Sequence, residues 1–171
     1  MLICRSDIQK ELEEKFAFLE STYDIKVVFV IALGLTQGAA CTVLLARNFF
    51  ETNPILIADC DTAYRQDAIC RFVDFLLDSQ SSLSVSCFDS TDEKFSYIVP
   101  DEVPAKIAEK KAISTFAMSG LYFFRDPQDF IDATINALIY NDRDKGEFYI
   151  SKILGCASRM KNLKVDLSLI H

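Results

Sequence analysis

The sequence predicts an α/β fold with a mixed, mostly parallel sheet, and three observations carry the prediction. An apolar, β-branched run at 25–33 is followed by a helix-compatible stretch at 38–50 and then by a second apolar run at 54–58. Neither run alternates polar with apolar residues, which is the pattern of strands buried on both faces of a parallel sheet. The second run ends on Asp59-Cys60-Asp61, and ligands of open α/β sheets bind at the carboxyl ends of strands.

The remaining elements follow in order. Residues 1–4 are short and apolar and read as a strand. Ser6 and Gln9 have the spacing of a capping box, and Ile8, Leu12, Phe16 and Leu19 recur at helical intervals, so an amphipathic helix comes next. Residues 68–77 read as a helix with Ile69, Phe72, Val73, Leu76 and Leu77 on its apolar side, and residues 83–88 and 95–99 as strands joined by a polar connection. Segments 103–109 and 116–124 are strand-like, the second interrupted by Gly120, where a missing side chain permits close approach of a ligand or of backbone. Asp126-Pro127 has the form of an N-cap with proline at the first helical position; Phe130, Ile131, Ile135, Leu138 and Ile139 give that helix its stripe. Residues 146–160 supply a last helix with a short lead-in.

At 171 residues the chain has the size of one domain, 1–171, and its 50% hydrophobic content with 14 Phe supplies a packed core. The net charge of −7, from 18 basic and 25 acidic residues, opposes binding to nucleic acid or to an anionic membrane. No run of apolar residues is long enough to span a bilayer, and Arg5, Asp7 and Lys10 stand where a secretory signal has its apolar core, so a cytoplasmic location is expected. Six cysteines without a C-x-x-C pair are expected as reduced thiols, and a single histidine, His171, argues against a Cys/His zinc site.

Four motifs carry chemistry. Asp59 and Asp61, one residue apart in an extended segment, point the same way and can share a divalent cation; the alternative is a turn or helix cap, which nearby Thr62 favours. Thr36-Gln37-Gly38, at a strand-to-helix turn, offers a hydroxyl, an amide and backbone donors to a base or a phosphate, or simply caps the helix. Lys110, in Glu109-Lys110-Lys111, supplies a point charge for a phosphate or belongs to a solvated charge run. Gly146-Glu147-Phe148-Tyr149 fits a helix start with an acidic first turn.

Together, G-L-T-Q-G-A-A-C-T-V-L-L-A at 34–46, I-L-I-A-D-C-D at 55–61, I-A-E-K-K at 107–111, S-G-L-Y-F-F at 119–124 and G-E-F-Y at 146–149 resemble the sugar nucleotidyltransferases, in particular those of capsule and surface-polysaccharide synthesis. The resemblance covers nearly the whole chain and implies a Rossmann-like, three-layer nucleotidyltransferase fold of the GT-A kind. It also implies a reaction joining a nucleoside triphosphate to a sugar 1-phosphate, giving a nucleotide sugar and pyrophosphate. By the same resemblance Thr36, Gln37 and Gly38 sit against the base, Asp61 with Asp59 holds magnesium or manganese, Lys110 binds the sugar phosphate, and Glu109, Gly120 and Glu147 lie near the sugar.

Two departures accompany the resemblance. The family opens with a strand and a glycine-rich, phosphate-binding loop that has no counterpart here, so the domain is expected to be truncated at its amino terminus and weak or inactive alone. Its sheet is expected to expose strand edges that a homodimer or a complementing chain would cover. Where many members carry a further metal-binding aspartate, this chain has Ile150-Ser151-Lys152, and a charged lysine cannot ligate a metal. Two other readings stay open: a GT-A glycosyltransferase using Asp59 and Asp61 as a D-x-D clamp on a nucleotide sugar, and a non-catalytic partner subunit.

Overall fold

A computed structural model describes residues 1–170, and His171 lies outside them. The elements are β1 (Leu2–Arg5), α1 (Gln9–Tyr23), β2 (Phe29–Ala32), α2 (Ala39–Leu44), a short 3-10 turn (Arg47–Phe49), β3 (Ile55–Ala58), α3 (Gln66–Asp78), β4 (Leu83–Asp89), β5 (Tyr97–Val99), β6 (Lys106–Ala108), β7 (Phe116–Phe124), α4 (Pro127–Ile139), α5 (Ile150–Lys161) and β8 (Val165–Leu169). Two sheets result: the parallel pair β1-β2, and a six-stranded sheet in the order β6-β5-β7-β4-β8 with β3 beside β7.

The sheet is mixed, as expected, but parallel pairing is confined to β1-β2 and β4-β8. Antiparallel pairing prevails because β7 runs against β3, β4 and β5 alike. The run at 54–58 therefore does not continue a parallel series from β2. Its side chains alternate between buried and exposed, with Ile55 and Ile57 in the core and Leu56 outside.

Side chains of β7 alternate between two cores, which makes the fold three-layered. Met118, Tyr122 and Phe124 join Leu83, Val85 and Cys87 of β4 beneath α2, α4 and α5. Leu121 and Phe123 face the other way, onto Ala68, Phe72 and Leu76 of α3. Between these faces the β4-β7 register shifts: Val85 pairs with Tyr122 but Cys87 with Met118. The bulge falls at Ser119–Leu121, and Gly120 within it has φ +94°, a backbone conformation that glycine adopts without strain.

Helix α5 is buried nearly all round, through Ile150, Ser151, Ile153, Leu154, Cys156, Ala157 and Ser158. Ser158 Oγ accepts the Ala105 N–H at 2.8 Å and donates to the Leu163 carbonyl at 2.6 Å, so a hydroxyl in the core is fully used. The Asp126 cap forms as expected, accepting the Gln128 N–H at 2.9 Å.

Several expectations are corrected. The capping box of α1 does not form: the helix starts after Ile8, without a side-chain cap, and Asp7 pairs with Arg5 instead. Of the stripe expected for α4, Phe130 is buried and Ile131 packs against the core, but Ile135 and Leu138 face outward and Ala133, Thr134 and Ala137 are buried in their place. Ile139 is exposed, as is Leu77 of α3. The helix expected over 38–50 breaks into α2 and the 3-10 turn. β8, an alternating strand that escaped the sequence reading, pairs in parallel with β4. All six cysteines are free thiols, and among the described residues no helix is long and apolar enough to cross a membrane.

Phe130, fully buried, meets Phe50 and Phe124 edge-on at 6.3 and 5.4 Å. Phe130→Ala removes both contacts and leaves a cavity under β7, so it should cost about 3 to 4 kcal/mol in urea denaturation.

Candidate functional site

The candidate residues lie on four loops that meet beyond the end of β3. Closest to the core is Asp59, whose N–H donates to the Gly120 carbonyl at 2.9 Å and continues the β3-β7 ladder by one residue. Its half-buried side chain lies over Gly120, where a Cβ would come within 2.7 Å of Asp59 Oδ2 and 2.9 Å of the Tyr64 hydroxyl. Gly120 is thus a glycine because this carboxylate and a tyrosine pack against it.

The chain turns immediately after Asp59, so the extended D-x-D geometry expected from the sequence is not formed, and Asp61 stands in solvent. The two carboxylates remain electrostatically coupled. Burial, then the charge of Asp61, then that of Glu109 raise the Asp59 carboxyl from its ordinary 3.8 to about 6. Asp59 thus lies within electrostatic reach of two other carboxylates, and no lysine or arginine is paired to it among the described residues.

Glu109, at the end of β6, is held by two hydroxyls: Ser96 Oγ donates to its Oε2, and Ser151 Oγ does so at 2.7 Å. Lys110 adopts φ +50° and reaches the Tyr149 hydroxyl at 3.3 Å, with its ammonium 5.2 Å from that ring's centre. The tyrosine contact, reinforced by the charges of Glu109 and Glu147, raises the Lys110 ammonium above its usual range.

The loop before α2 is sewn to the segment before α5. Phe148 N–H donates to the Gln37 carbonyl and Ala40 N–H to the Phe148 carbonyl, both at 3.0 Å. Gly38, at φ +127°, lies so close that a Cβ would meet Phe148 N at 2.6 Å. Thr36 Oγ1 donates to the Gly38 carbonyl at 3.1 Å and contacts Thr42 Oγ1, so its hydroxyl braces the turn. The Gln37 side chain accepts a hydrogen bond from Arg143, whose guanidinium stacks 4.6 Å from the Phe148 ring centre. Lys152 pairs with Asp142 at 2.6 Å and donates to the Arg143 carbonyl at 2.9 Å, which fastens this loop to α5.

The structure thus links Asp61, Asp59, Glu109 and Lys110 in one arc and Thr36, Gln37 and Gly38 in a second, with Phe148 and Tyr149 between them. Glu147 is exposed at the turn closing onto Asp144. Tyr64 and Arg143 lie outside the sequence motifs, while Tyr149 and Ser151 fall within segments that the sequence reads only as a helix start and as the place of a missing aspartate. Tyr64 donates to the Ser119 carbonyl at 2.5 Å, and burial pushes its phenol up to about 12. A tyrosine or arginine in a polar stretch carries no local signal of such a role.

Solved structures share this architecture. A nucleoside-diphosphate-sugar pyrophosphorylase from Vibrio cholerae RC9 superposes with a TM-score of 0.75 at 21% identity, over 98% of this chain and 71% of that one. The fold is that of the sugar nucleotidyltransferases. An inositol-1-phosphate CTP transferase from T. maritima matches the same nucleotidyltransferase fold at TM-score 0.71 and 12% identity, over 99% of this chain and 65% of its own. A Bacillus anthracis protein described as a glucose-1-phosphate thymidylyltransferase, solved with sucrose, matches at 0.67 and 19%, over 97% and 66%. No protein-family model and no curated protein sequence matches the chain.

Because the folded state raises the Asp59 carboxyl, this group binds its proton more tightly folded than unfolded, and stability is lost as pH rises from about 4 through 6. Asp59→Asn should therefore be more stable than the parent at pH 7 by about 1 to 2 kcal/mol, a figure lowered for solvent screening, with the gap closing towards pH 4. Urea denaturation at the two pH values measures it.

Proposed function

We propose that this chain binds a nucleoside triphosphate and a sugar 1-phosphate, or the nucleotide sugar they form, as a sugar nucleotidyltransferase of the polysaccharide-synthesis type. The observation that carries the reading is the half-buried Asp59, packed over Gly120 at the end of β3 within electrostatic reach of Asp61 and Glu109 and without a paired cation, with Lys110 next to Glu109, on this fold. An inositol-1-phosphate CTP transferase among the structural neighbours performs a transfer of this class by its description.

The residues divide the work by chemistry. Gln37, with Thr36 and Gly38 bracing the turn that presents it, faces the base. The Arg143 contact uses the Gln37 carbonyl oxygen and leaves the amide hydrogens as donors. Asp61 and Asp59 are the magnesium-binding pair, with manganese as a substitute. The described residues hold no group of three or more such ligands, so phosphate oxygens and water would complete the shell, as suits a small hard cation. Bound there, the cation would neutralise charge on the α-phosphate.

Lys110 meets the sugar phosphate, while Glu109, Gly120 and Glu147 line the sugar side. A phosphate oxygen needs alignment and charge neutralisation more than a strong base, so Asp61 and Lys110 are the groups on which transfer depends. The chain's five glycines are scattered, with no glycine-rich phosphate loop, and turnover by the chain alone is expected to be weak or absent.

Calorimetric titration with each nucleoside triphosphate and magnesium tests the reading. One triphosphate should bind selectively, and Asp61→Ala should weaken it at least tenfold. Absence of binding across the panel overturns the proposal; binding of an intact nucleotide sugar in preference to every triphosphate supports the GT-A glycosyltransferase reading instead.

A further inference from the structure

Between the two sheets lies a cavity of about 460 Å³ bounded by β1 on one side and β3 on the other. Both strands turn an unpaired edge to it. In β1, Leu2 N–H donates to the Val28 carbonyl at 2.9 Å. The alternation of a parallel ladder then directs Leu2 and Cys4 towards β2 and leaves the main-chain N–H and C=O of Ile3 facing the cavity.

In β3, the Asp59 bond to Gly120 sets the opposite alternation. Ile55, Ile57 and Asp59 exchange hydrogen bonds with β7, and Leu56 and Ala58 present theirs to the same cavity. The floor is apolar, formed by Val43, Ala46 and Phe50. Two strand edges facing each other across an apolar slot match the chemistry of a third strand, because only extended backbone supplies donors and acceptors to both sides at once.

Helix α1 reinforces this. It buries no residue, and of the β1-α1-β2 unit only Val30 and Ile3 join the main core, so a strand bonded to β1 and β3 would join the two sheets into one. The slot also reaches Asp59 and, at α2, Ala39 and Thr42, so its occupant would end beside the candidate site.

We propose that the slot between β1 and β3 receives an extended apolar segment of a partner polypeptide, added as a strand that merges the two sheets. The segment pairs through its backbone with Ile3 on one edge and with Leu56 and Ala58 on the other. Its side chains on the inner face rest on Val43, Ala46 and Phe50 and must be apolar.

The probe is the heptapeptide Lys-Val-Ile-Val-Ile-Val-Lys, blocked at both ends, compared with the same peptide carrying proline at its centre. The apolar peptide should bind one to one and slow amide exchange at Ile3, Leu56 and Ala58 at least tenfold by NMR. The proline peptide should bind at least tenfold more weakly, as should the apolar peptide to Ala58→Pro, which removes an edge donor and no bond within the chain. Three outcomes overturn the proposal: equal binding of the two peptides, no binding of either, or amides at Ile3, Leu56 and Ala58 already protected in the free chain, whether as monomer or as self-associated dimer. The two peptide comparisons on the unaltered chain decide the matter even if Ala58→Pro does not fold.

Discussion

The rest of the structure depends on β7. Nine residues long and buried almost throughout, it carries β3 and β5 along one edge and β4 along the other, and its alternating side chains supply both hydrophobic cores. A strand in that position cannot tolerate a slip of one residue, because every side chain would change core. The single irregularity it accepts is the bulge at Gly120, and that bulge is where the candidate site begins.

From this constraint the geometry of the acidic cluster follows. Gly120 has no side chain, so Asp59 can lie across β7 at a distance a Cβ would forbid, half removed from water and close to Asp61 and Glu109. The cost of confining a carboxylate there is electrostatic, and the nearby Lys110 ammonium is held on Tyr149 beside Glu109 instead.

The opposite wall is built from backbone rather than charge. Gly38 allows the loop after β2 to lie against Phe148, and paired main-chain bonds to Gln37 and Ala40 tie that loop to the lead-in of α5. Arg143 and Phe148 then hold the Gln37 amide in one orientation. Since α5 is buried on almost every side, both walls of the site rest on rigid elements, with loops contributing only the exposed tips.

The sequence by itself determined the α/β class, the extents of β7 and α3 to within two residues, the Asp126 cap, and the residues of the acidic and glycine motifs. These are local matters of periodicity, turn chemistry and residue type. It did not determine that β3 runs antiparallel to β7, that the D-x-D segment turns instead of extending, or that α4 buries Ala133 and Ala137 in place of Ile135 and Ile139, since each depends on which partner packs opposite. Gly120 shows the division most plainly: a glycine within a strand announces close approach, but only the tertiary structure decides that what approaches is Asp59. Arg143, Tyr64 and the contact of Tyr149 with Lys110 were unreadable for the same reason, because a polar side chain takes its role from the neighbours that long-range folding brings to it.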